Sequence, residues 1–231
     1  NLTARHQSLV ADDHRSPFHL TGDSETGQSR DLTGGYSRDL HFRSVLHDRF
    51  GQRMFGLSLH RGRPTDQFCL DAARFIANFA DGWHHGKEEG ALFEAMARGG
   101  MPMDDGPVGM MMEEHDRARE LTAGLRRATE RWAAGETDMA DKVIDYARGY
   151  AELLTQHIYK EDNILFPMAE QVILPETQDA LLDDYRRIER AQEERGSKES
   201  YEELARALCE EVGVGPDAAP RRTVELPCHA R

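Results

Sequence analysis

The residues with the most chemistry in this chain are histidines followed, four positions on, by a glutamate. His84 with Glu88 and His85 with Glu89 lie in "HHGKEE", and His157 with Glu161 lies in "HIYKE". On an α-helix, residues four apart sit ~40° apart around the axis and ~6 Å along it, so each pair points one way and can meet at one ion. Counting His19 with Asp23 there are four such pairs, against about two expected by chance. The setting therefore carries more weight than the count. Phe75, Ile76, Phe79, Ala80, Leu92 and Phe93 surround the first pair, and Leu153, Leu154, Ile158, Ile164, Leu165 and Phe166 surround His157 and Glu161. An imidazole and a carboxylate on an apolar face are costly unless something satisfies them, and a metal ion would do so.

Two further histidines extend the pattern. His115 follows the thioether run Met110-Met111-Met112, and His47 shares a stripe with Phe50 and Met54, 37 residues before His84. His14, His41 and His60 are alternatives to His47. One inward histidine per helix and two glutamates make four nitrogens and two carboxylates, a mixture that suits iron or manganese better than calcium or magnesium. Tyr150, seven residues before His157, lies on its face, where it either packs or hydrogen-bonds a small ligand of the metal. His85 and Glu89 are rotated ~100° from their neighbours and are expected behind the ligands or at the surface. Lys87 and Lys160 are expected in solvent, and the methionine run in the core.

These side chains need long helices to carry them. Leu46, Phe50, Met54 and Leu57 step by four and three residues, marking a helix over about 39–60. After Pro64, Thr65-Asp66 can cap a second helix over about 66–98, and "GGMPMDDGP" ends it. A third runs from about 108 to 134, and a fourth from about 138 to 166, where Pro167 can stop or bend it. One or two amphipathic helices follow over about 176–212. The expected fold is all-α: an up-down-up-down four-helix bundle with an additional C-terminal helical segment. The division expected is a polar N-terminal extension over 1–37, the bundle over 38–175, the helical extension over 176–212 and a frayed tail over 213–231.

Bulk properties set outer bounds. With 42 acidic against 29 basic residues the chain carries a formal charge of −13, which repels a phosphate backbone and argues against nucleic acid. Cys69, Cys209 and Cys228 form no CxxC pair, which fits a reducing compartment. No apolar run approaches a bilayer span, and the first residues lack a signal-peptide layout. The expectation is a cytoplasmic protein without a membrane partner, a monomer or small homo-oligomer.

The stretches "FADGWHHGKEEGALFEAM", "MMMEEHDRAR" and "HIYKEDNILFPMAE" together resemble the hemerythrin HHE cation-binding domain, whose pattern is H…HxxxE…H…HxxxE on four helices. The resemblance covers about residues 40–205. It implies that His84, Glu88, His115, His157 and Glu161, completed by His47, bind two iron ions. The two glutamates would bridge an oxo- or hydroxo-bridged di-iron centre, with manganese as the alternative metal. The chain departs from the oxygen carriers of that family at Arg119, where they have a further histidine, which argues against simple reversible oxygen carriage. The function implied is binding of, or reaction with, O2, peroxide or nitric oxide, served by an unidentified electron donor. Sensing, scavenging and iron handling under oxidative or nitrosative stress all fit. The other readings are an iron-storage or structural-metal module acting through a protein partner, an iron–sulfur cluster repair protein, and a metal-free bundle.

Overall fold

A computed structural model describes residues 64–212. The expected helix over 39–60 with His47, the other N-terminal histidines, the expected N-terminal extension and the tail with Cys228 lie outside these residues. Every regular element among the described residues is helical, and none is long and apolar enough to cross a membrane.

Five helical rods make up this region. The first, α1, covers 66–98: it starts as the α-helix Asp66–Phe75, widens into π-helical segments at Ile76–His85 and Glu88–Leu92, and closes as the α-helix Phe93–Arg98. Thr65 caps it as its sequence position predicts, its hydroxyl accepting from the Phe68 amide at 3.1 Å. Rod α2 is Gly106–Ala133, capped by Asp105. It ends at Gly135, whose φ of 101° lets the Glu136 amide reach back to the Arg131 carbonyl. Rod α3 covers 139–172: Met139–Lys160, a π-helical turn Glu161–Leu165, then Phe166–Val172. Pro167 does not stop it. The proline lies in the first turn of the last segment, just after the π turn, where the ordinary hydrogen-bond ladder is already interrupted. A short 3₁₀ turn leads into α4 (Gln178–Glu193), and Ser197 caps α5 (Lys198–Glu211).

The first three rods run alternately antiparallel, as the make-up of the core shows. One apolar cluster joins Phe68, Phe79 and Trp83 of α1 to Leu125 and Ala128 of α2 and Val143 and Ala147 of α3. A second joins Phe93 and Met96 of α1 to Val108 and Met111 of α2 and Leu165 and Ala169 of α3. The histidines and glutamates fall between the two clusters on all three rods, so the bundle has a polar middle and apolar ends.

The C-terminal segment, expected as an extension, is part of that core. Tyr201, Ala205 and Leu208 of α5 join the first cluster, and Leu181 and Tyr185 of α4 join the second. Glycines 82, 86 and 90, four residues apart, leave α1 a flat face there. A methyl added at Gly90 would lie 3.2 Å from Ile188 and one at Gly82 3.1 Å from Gln192. Lys87, expected in solvent, is only 2% exposed beneath α4, where it pairs with Glu189 at 3.0 Å.

At Gly124 the α2 backbone has no room for a side chain against α3. A Cβ there would lie 2.3 Å from Cε1 of Tyr146. Gly124→Ala is expected to lower the melting temperature, because overpacking costs about 1–3 kcal/mol and outweighs the ~1 kcal/mol alanine gains in helix propensity. The penalty should largely disappear in a Tyr146→Ala background; equal penalties in both backgrounds would show that the ring is not the obstacle.

Candidate metal centre

The polar middle brings His84, His85 and Glu88 of α1 together with His115 of α2 and His157 and Glu161 of α3. All six are buried, and both glutamates are 0% exposed. Two donor groups form among the described residues, one of His85, Glu88, His115 and His157 and one of His84, Glu88 and Glu161. Within each group the donor atoms lie within 4.8 Å of one another, and Glu88 belongs to both.

The separations suit ligands that share an ion. His84 Nε2 lies 3.4 Å from Glu88 Oε2 and 3.6 Å from Glu161 Oε1. His115 Nε2 lies 3.4 Å from Glu88 Oε2, and His157 Nε2 lies 3.3 Å from Glu161 Oε1. Two donors each ~2.1 Å from one ion are separated by roughly 3.0–3.5 Å. The buried Nε2 atoms of His115 and His157 make no hydrogen bond. Nitrogen and carboxylate donors converging in this way could hold a transition-metal ion.

The opposite ring nitrogens are tied down. His115 Nδ1 is 2.6 Å from Glu89 Oε1, His157 Nδ1 is 3.0 Å from Glu114 Oε2, and His85 Nδ1 is 3.2 Å from Asp81 Oδ1. An ionised carboxylate only accepts, so each Nδ1 carries the proton and Nε2 is left to face the centre. Carboxylates behind histidines orient ligands in just this manner. A ring of cations holds the carboxylates in turn. Arg119 donates to Asp81 at 2.7 Å and to Glu89 at 2.6 Å, and Lys160 pairs with Glu114. Lys160, expected in solvent, is thereby a member of the site.

The electrostatics follow from this nesting. Burial, together with His115, His84 and His157, pushes His85 well below the usual histidine range and keeps it neutral. Burial also disfavours charge on His157, but Glu114 and Glu161 outweigh it and raise the value to about 9. At His115, Glu88 and Glu89 likewise outweigh burial and raise the value. The carboxylates that draw protons onto these rings are those that a cation would neutralise. Burial would raise Glu89 and Glu114, yet their partners hold both below the ordinary carboxylate range.

His85 is the main difference from the expected geometry. Helical spacing of 100° per residue turns it away from a core that contains His84, yet both are buried, with ring centroids 5.5 Å apart. The reason is local: both lie in the π-helical segment Ile76–His85, whose i→i+5 bonding widens the turn, so neighbours diverge less. Asp81 and Glu114 join the site without a place in the sequence pattern, and Arg119 stands out there only as the position of an absent histidine. Asp81 had a signal, since it precedes His85 by four residues; Glu114 had none, because its partner is on another rod. Tyr150 is 4% exposed and borders a void of about 10 Å³, also lined by His85, Glu114, His115, Ala118, Leu153, Leu154 and His157. Ile164, expected on the apolar wall, is 42% exposed.

Glu88 and Glu161 each lie against two histidines, so losing one should cost more than losing a single histidine. Ferrous iron is expected to raise the melting temperature of the parent chain, and Glu161→Ala to retain less metal and to show a smaller rise. Metal analysis with thermal melts checks this, and an unchanged metal load would rule the carboxylate out as a ligand.

No curated protein and no solved structure matches the chain. A family model, Hemerythrin HHE cation binding domain, matches residues 45–169. That span is more than half of the chain and includes all six side chains of the polar middle. By this match the chain belongs to the hemerythrin HHE cation-binding family.

Proposed function

We propose that this protein holds two iron ions in its polar middle and uses them to bind or react with O2, peroxide or nitric oxide, in sensing, scavenging or iron handling under oxidative or nitrosative stress. His84, Glu88 and Glu161 would hold one ion, and His115, His157 and Glu88 the other. Bound iron would supply one-electron exchange with such ligands.

The observation that carries this reading is the small void against the histidines. About 10 Å³ is close to the least that admits one water-sized molecule. Ala118, Leu153 and Leu154 give it apolar walls, and Tyr150 borders it. A space of that size leaves room beside the histidines for one small ligand. A groove of about 490 Å³ between α1 and α2 approaches from outside and also has His85 in its lining. Tyr150, beside the void, would position a small ligand.

The chain purified without chelator is expected to contain about two irons, with absorption in the near ultraviolet that bleaches with dithionite and returns in air. Nitric oxide added to the reduced protein should change the spectrum within the mixing time. A full iron load that neither cycles nor responds to any of the three ligands would instead indicate a store or a structural metal. Leu153→Trp, which fills the void, should slow the response to nitric oxide at least tenfold without lowering the iron content.

A further inference from the structure

We infer that His85 is a further metal ligand of this centre, presented by an anchor in which Arg119 holds Asp81 and Asp81 holds the ring. The inference rests on the metal-centre reading above and adds a donor to it. His85 is 3% exposed, and its donor atom lies within 4.8 Å of those of Glu88, His115 and His157. Its ring stacks face to face on that of His115, with centroids 3.8 Å apart and planes 9° apart. Asp81 accepts a hydrogen bond from Nδ1 at 3.2 Å, which leaves Nε2 free to coordinate.

A histidine that merely packs needs one partner and no elaborate support. His85 has a carboxylate that is itself immobilised. Arg119 Nε lies 2.7 Å from Asp81 Oδ1, while Nη2 of the same guanidinium lies 2.6 Å from Glu89 Oε1. Glu89 in turn takes Nδ1 of His115 at 2.6 Å. One planar cation therefore sets the carboxylates behind two stacked histidines, joining α1 to α2 at the edge of the centre. A lysine could not span both carboxylates, because its ammonium is a point charge without the rigid fork. Arg119 acts through its two carboxylates and is a positioning residue, not a ligand.

The test is cobalt(II) binding to the metal-stripped full-length chain under nitrogen, followed by metal content after desalting and by the visible d–d bands. The parent chain should bind two ions. In His85→Asn one of the two should be lost or bound at least tenfold more weakly, with altered bands for the ion that remains. Asp81→Ala should weaken the same ion. Arg119→Gln should weaken it about 10- to 100-fold, as loss of an outer partner typically does, and Arg119→Lys should not restore it. Asp81→Ala keeps the test informative if His85→Asn does not fold. Two ions bound by His85→Asn with parental affinities and bands would overturn the inference while leaving the centre intact. A parent chain that binds no cobalt would overturn the centre itself.

Discussion

Two carboxylates with no solvent exposure, Glu88 and Glu161, sit halfway along a helical bundle. Taking a carboxylate out of water costs several kcal/mol unless other charges compensate it. The rest of the polar middle answers that cost in layers. Histidines contact the glutamates, outer carboxylates take the histidines' second nitrogens, and Arg119 and Lys160 hold the outer carboxylates. Each layer fixes the one inside it, so the donor atoms are constrained from without.

That constraint accounts for the irregular backbone. Among the described residues, all three π-helical segments include or adjoin residues of the polar middle: His84 and His85 end one, Glu88 begins another, and Glu161 begins the third. Such turns forgo ideal helical bonding and re-aim side chains, and they recur at functional sites. Here they let two adjacent histidines share an interior, and in α3 the altered ladder comes just before Pro167. The remainder of each rod is ordinary α-helix, held by an apolar cluster on either side of the polar layer. Large apolar side chains near the centre, such as Phe93 stacked on His115 with centroids 5.9 Å apart, leave little room for water.

The C-terminal rods show how tertiary packing recruits residues that periodicity assigns to the surface. Lys87 is buried because α4 lies across the glycine face at 82, 86 and 90 and brings Glu189 to it. Burial, with Glu88 nearby, raises the Tyr185 phenol well above its ordinary value and keeps it neutral. This part of the fold lies beyond the residues that the family model matches, and α4 reaches the edge of the centre through Glu189 on Lys87.

Much of the architecture was legible before any coordinates. Apolar residues at three- and four-residue spacing, Thr65 before a helix and glycine-rich loops are local signals, and the helices followed them. The spacing within "HHGKEE" and "HIYKE" placed His84 with Glu88 and His157 with Glu161, because an α-helix brings residues four apart together whatever surrounds it. His85, Asp81, Glu114 and Arg119 needed the assembled molecule. Which way His85 faces depends on a widened turn, and the pairings Glu114–His157 and Arg119–Asp81 join residues 43 and 38 positions apart. Local periodicity is written in neighbouring residues, so the sequence determined the helices and two His–Glu pairs. The closure of the site depends on contacts between rods, and only the tertiary structure decided those.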